Sequence, residues 1–234
     1  MIPARIGSTR LKYKNLALLD NKAVIEYAII NSIKSKIFKK IYVNSDSNTF
    51  EYFTKKYKVN FFKRKKSLAT SSSRSDDVIY NFIEENSLSE GILVWLNPIA
   101  PLLNKNIIKH VIDKFIDLRL SSAVTSNARK VHAIYNKKDI NYKKNEKFSK
   151  TQDLIPVSTF NYAIMMWDIK KFKKKYLENN YCFFINKFKN IDIPEHNSFI
   201  IKNKYDLKII EKFIKFNPQK IPELKYHHQI SKIK

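Results

Sequence analysis

The chain has 234 residues, 44% of them hydrophobic, a single cysteine and a formal net charge of +24. That length and apolar content suit one domain over residues 1–234, and the lone Cys182 excludes an intrachain disulfide and favours a reducing, cytoplasmic setting. Neither a signal peptide nor a bilayer-spanning run is expected from the residues given, so a membrane is not an expected partner. Only six of the 45 basic residues are arginine, and the lysines are spread from end to end. Without clustered arginine, interleaved aromatics or a helix-turn-helix, zinc or RNA-binding signature, a specific nucleic-acid partner is not expected.

The first element is a loop. One of the two glycines, Gly7, sits among Arg5, Ser8, Arg10, Lys12, Lys14 and Asn15. A glycine in so glycine-poor a chain points to a positive φ or to close approach of a ligand. Arg forks and Lys point charges at short spacing suit phosphate oxygens. Val24, Ile25, Ala28, Ile29 and Ile33 then share a helical face, and Ile41 to Asn44 reads as a strand ending at Ser45-Asp46. A helix near Thr49 to Lys56, a strand near Val59 to Phe62 and a helix near Asp76 to Glu85 follow. Ile92 to Leu96 reads as a buried strand, Asn97 to Pro101 as a loop, Ile107 to Ile116 as a helix and Ser122 to Thr125 as a strand. The polar stretch Lys137 to Lys150 reads as a loop or poorly ordered arm. This alternation predicts an α/β, Rossmann-like, mostly parallel sheet with helices on both faces. A ligand would then lie at the carboxyl ends of the strands, with Gly7, Asp46 and Asn97 near one crevice.

Pro3-Ala4-Arg5, Gly7-Ser8-Thr9-Arg10-Leu11 and Lys14-Asn15 resemble the opening signature of the sugar-acid cytidylyltransferases, whose fold is of the nucleotide-diphospho-sugar transferase type. Asn44-Ser45-Asp46, Arg64, Leu68-Ala69, Asp77-Val78-Ile79, Asn97-Pro98-Ile99-Ala100-Pro101-Leu102, Gln152-Asp153-Leu154 and Asn161-Tyr162-Ala163-Ile164 continue it in order. The resemblance implies transfer of CMP from CTP to an acylneuraminate-like acid. Arg10 and Lys14 would then serve catalysis, and Arg5, Gly7, Ser8, Asn15, Arg64, Asp77 and Asn97 would hold the nucleotide. Gln152, Asp153 and Asn161 would meet the sugar acid. Alternatives stay open for some of these: Arg64 and Asp77 suit an ion pair or a loop brace as well as the nucleotide, and Asp153 suits a turn cap. His132 falls where the family often has His-Pro, and a lone histidine is more often structural; His227-His228 suit metal or plain exposure. The resemblance also implies a homodimer through an arm around 137–165.

The departures from the family pattern concern its metal. Aspartates that would hold Mg²⁺ are expected at positions 200 and 202, where this chain has Ile200 and Lys202. Neither side chain offers a hard oxygen ligand, so the Mg²⁺ site is expected to be lost. Ile6 and Tyr162 stand where glycines are usual, and Ile99, Ala100 and Leu103 replace two hydroxyls and an arginine. The first strand is short, which suggests a true start upstream. A nucleotide-binding homologue without turnover is the second reading.

Overall fold

The computed structural model describes residues 1–216. Its spine is seven strands: β1 (Ile2–Pro3), β2 (Tyr42–Ser45), β3 (Asn60–Lys63), β4 (Ile92–Leu96), β5 (Ser122–Arg129), β6 (Val157–Asp168) and β7 (Phe188–Asp192). β1, β2 and β3 pair in parallel with β2 central, and β4, β6, β5 and β7 form a second ladder in that order. Met1 joins the two ladders, its amine donating to the Val94 carbonyl and its carbonyl accepting from Leu96 N. The spatial order is therefore β3-β2-β1-β4-β6-β5-β7. β6 runs antiparallel to both neighbours, while β5 and β7 are parallel. The mostly parallel sheet expected from the sequence is present, with one reversed strand that the sequence reading did not anticipate.

Helices cover both faces because their apolar stripes must be buried. α1 (Val24–Ser35) and α4 (Lys105–Asp117) place Ile25, Ile29, Ile108, Val111, Ile112 and Phe115 in one core with Ile2, Val43 and Leu96. α2 (Glu51–Tyr57) packs at the edge of that layer. On the other face α3 (Ser75–Glu85) and α5 (Ile169–Asn179) bury Ile79, Phe82, Ile83 and Phe172 against Leu93, Val124 and Trp167. α6 (Lys204–Lys215) closes a smaller cluster with Leu11, Leu19 and Val24. No helix among the described residues is long and apolar enough to cross a membrane.

Several elements depart in detail from the sequence reading. The helix expected near Thr49 opens as a short 3-10 turn, and the strand expected at Val59 to Phe62 is shifted by one residue. The strand begun at Ser122 continues to Arg129, because β6 pairs along its whole length. The 137–150 stretch is not uniformly irregular: a two-residue ladder joins Ile134–Tyr135 to Lys138–Asp139. His132 lies beside it, stacked on Phe148 with ring centroids 4.3 Å apart and with its Nε2 buried and unpaired. His227-His228 lies outside the described residues.

Candidate nucleotide site

The chain leaves β1 for β2 on one side of the sheet and returns to β4 on the other. This reversal opens a crevice at the strands' carboxyl ends. A cavity of about 440 Å³ occupies it. The loop after β1 supplies Arg5, Gly7, Ser8, Arg10, Lys14 and Asn15; Arg64 follows β3; Asn97 follows β4.

Side chains from neighbouring strand ends fix the loop. Ile6 N donates to Asp46 Oδ1 (2.9 Å), and Asn15 Nδ2 donates to the Arg5 carbonyl (3.2 Å). Asn15 Oδ1 is left buried and unpaired at the cavity, an acceptor awaiting a donor. Gly7 does not adopt a positive φ, the first of the two reasons its sequence setting offered, and a Cβ built there would meet no described atom within 4 Å. The fold itself does not require glycine at this position, so open room for a ligand is the reason that remains.

Arg64 is buried, donating from Nε to Asn44 Oδ1 (2.6 Å) and from Nη2 to the Asn44 carbonyl (2.9 Å). Burial lowers its pKa to about 10, with Asp46 opposing and Arg5 assisting. Burial also lowers the pKa of Lys14, helped by Arg10 and Arg5 and opposed by Asp206. Arg5 donates to the Thr70 carbonyl. Arg5, Arg10, Lys14 and Arg64 thus line one cavity, with no Asp, Glu or His among the described lining residues. Such a set attracts a polyanion.

Two further walls escaped the sequence reading. Thr70, Ser71, Ser73 and Ser75 present hydroxyls from the segment entering α3, and the run Thr70-Ser71-Ser72-Ser73 was the signal available for it. Trp95, Met165, Tyr162 and Phe183 form an aromatic and apolar side toward β4 and β6. Tyr162 sits in a bulge of β6, where four residues, 161 to 164, oppose Thr125 alone. Its φ of 55° explains why glycine is usual there.

Asn161 and Thr125 stitch that bulge. Thr125 Oγ1 donates to Asn161 Oδ1 (2.6 Å) and accepts from Ile164 N (3.0 Å), while Asn161 Nδ2 donates to Asn127 Oδ1 (3.1 Å). The Asn161 amide is thereby engaged within the protein and is not among the cavity-lining residues. Gln152 and Asp153 lie on an exposed 3-10 turn, also away from the cavity lining. Asp77 forms an ion pair with Arg74 and accepts from Tyr176 Oη (2.8 Å), which ties α3 to α5. Those four expected contacts are not brought to the cavity.

Neither position at which the resemblance implies a Mg²⁺ aspartate carries an oxygen ligand in its side chain. Ile200 packs against the main core and Lys202 is exposed. Asp206 is engaged at the start of α6, accepting from Lys202 N (2.7 Å) and Asn203 N (3.0 Å). No group of three His, Cys, Asp or Glu side chains among the described residues could hold a metal ion.

An α/β sheet with a cationic cavity at its switch point has the charge and the position that suit a phosphorylated ligand. The chain belongs to the cytidylyltransferase family, which it matches over residues 1–220. It is 36% identical over 121 residues to a pseudaminic acid cytidylyltransferase of Campylobacter jejuni, covering 50% of this chain and 52% of that protein. It is 28% identical over 129 residues to an N-acylneuraminate cytidylyltransferase of Escherichia coli, covering 55% and 30%. The matched region thus spans about half, or less, of these relatives' length. Among solved structures, a CMP:2-keto-3-deoxy-manno-octonic acid synthetase complexed with CTP superposes with a TM-score of 0.63 at 13% identity, covering 92% of this chain and 96% of that one. That likeness establishes the shared fold.

Proposed function

We propose that this protein transfers CMP from CTP to a sugar acid with release of pyrophosphate. The observation that carries the reading is the cavity at the β1/β4 switch point, lined by Arg5, Arg10, Lys14 and Arg64, in a chain of the cytidylyltransferase family. A hydroxyl of the acid attacks the α-phosphorus as its proton passes to water, the bond from that phosphorus to the oxygen bridging the β-phosphorus breaks, and pyrophosphate leaves. Charge gathers on phosphate oxygens along this path, where Arg10 and Lys14 stabilise it electrostatically. With no carboxylate or imidazole among the described lining residues, the chain's contribution is positioning and charge. Asn15 Oδ1 accepts a donor group of the nucleotide, and the side of Trp95, Tyr162 and Phe183 receives the apolar parts of the acceptor.

We further propose a cytoplasmic homodimer in which the segment 137–165 is covered by a second copy. Ile140, Phe148, Ile155, Phe160 and Tyr162 are all exposed in this segment. Ile200 and Lys202 favour a second reading, nucleotide binding without turnover. The test is pyrophosphate release from CTP with pseudaminate, N-acylneuraminate and an octulosonate, with and without Mg²⁺. Release with one acid supports transfer. CTP binding without release from any acid leaves the second reading.

A further inference from the structure

We propose that the cavity takes its nucleoside triphosphate as the metal-free polyanion, with Arg5, Arg10, Lys14 and Arg64 supplying the neutralising charge, so that Mg²⁺ competes with binding. This rests on the reading that the cavity holds a nucleoside triphosphate. The first support is the donor set: among the described residues four cations line the site and no carboxylate does. Nearby carboxylates are already engaged by backbone N–H groups, Asp46 by Ile6 and Asp206 by Lys202 and Asn203.

The second support is the rim beside Ile99. Ile201 N donates to the Ile99 carbonyl (2.9 Å), which holds the segment 200–202 against a residue of the cavity wall. Ile200 on this segment is turned into the core, and Lys202 adds a positive charge where the segment emerges. The carboxylate beside this segment, Asp206, already accepts from Lys202 N and Asn203 N, and the further ammonium of Lys202 repels a divalent ion.

The third support is the crowding of like charge within the cavity. Among the described residues the Lys14 ammonium is buried with no hydrogen-bonded carboxylate; burial, then Arg10 and Arg5, push its pKa down, and Asp206 opposes them only in part. A fully ionised triphosphate relieves this more completely than its magnesium complex, which carries two charges fewer. Binding the free form alone means that each tenfold rise in free Mg²⁺, once most of the nucleotide is complexed, weakens apparent affinity about tenfold.

The experiment is calorimetric titration of the full chain with CTP in EDTA and across a series of free Mg²⁺ concentrations, at matched ionic strength. The proposal expects apparent Kd to rise with free Mg²⁺, with a log–log slope approaching one. A flat or falling dependence overturns it, as does absence of CTP binding in EDTA. Lys14→Met should raise Kd in EDTA about tenfold or more and keep the slope positive. Lys202→Asp, at an exposed position, and Ile200→Asp with Lys202→Asp should flatten or reverse the slope. Equal titrations with ATP separate this proposal from the CMP-transfer reading: a positive slope for both nucleotides, without pyrophosphate release, leaves the charge argument standing and removes cytidylyl transfer.

Discussion

Lys14→Met separates what the cavity does for a ligand from what it does for the fold. The Lys14 side chain is buried, its ammonium has no carboxylate within hydrogen-bond distance among the described residues, and Arg10 and Arg5 repel it against the weaker pull of Asp206. Methionine retains most of the aliphatic stem and removes the charge. The ligand-free variant should melt at the wild-type temperature or slightly above it. A charge-assisted contact to phosphate contributes about 1.5–3 kcal/mol, so CTP affinity should fall about tenfold to over a hundredfold. At a concentration giving wild type about 2.7 kcal/mol of ligand stabilisation, a tenfold to hundredfold weaker variant retains only about 0.4–1.4 kcal/mol. For a chain of this size each kcal/mol moves the midpoint by roughly 2–4 °C. Thermal melts with and without CTP in EDTA therefore distinguish the two outcomes. A variant that melts several degrees lower without ligand, yet keeps the full CTP shift, would refute the assignment and make Lys14 a structural residue.

Three other substitutions probe the surroundings. Gly7→Ala meets no protein atom, so ligand-free stability should hold or rise by up to about 1 kcal/mol while CTP affinity drops; unchanged affinity in calorimetry would show that no ligand packs there. Thr125→Val strips the bulge of its stitch, leaving Ile164 N without that acceptor and Asn161 Oδ1 with Ala163 N as its remaining donor, and should lower stability in urea melts by about 1–3 kcal/mol. Burial alone would raise the pKa of Glu26, but hydrogen bonds from Lys56, Tyr57 and Ala23 N outweigh it and hold the carboxylate below its ordinary 4.5. Its stabilising contribution is therefore complete above that value and is lost as pH falls through the lower folded value. Glu26→Gln should unfold more readily at neutral pH and lose part of the acid dependence, and chemical melts between pH 7 and 3 measure both.

Periodic elements were legible and pairings were not. α1, α3 and α4 carry apolar stripes, and β2 and β4 are short apolar runs, so each could be placed within a residue or two from local pattern alone. β7 reads Phe-Lys-Asn-Ile-Asp and hides among polar residues, because its partner β5 rather than its own composition makes it a strand. The reversal of β6 is a property of its neighbours, and nothing within residues 157–168 encodes it. The same division holds at the cavity. The cationic loop is contiguous in sequence and stood out at Gly7, whereas the aromatic side is assembled from Trp95, Tyr162, Met165 and Phe183 on separate elements. Asp77 shows the converse, since a carboxylate in family order is engaged by Arg74 and Tyr176.

β6 carries two tasks on one backbone. Its first residues, Val157 to Phe160, reach out beside the exposed arm, and its last, Met165 to Asp168, are clamped between β4 and β5. The bulge between them is slack in an otherwise taut cable, and Tyr162 hangs from that slack at the cavity wall. Thr125 and Asn161 pin that bulge from outside the cavity lining, so the placing of Tyr162, and with it the aromatic side of the cavity, depends on two polar side chains that are not themselves part of the wall.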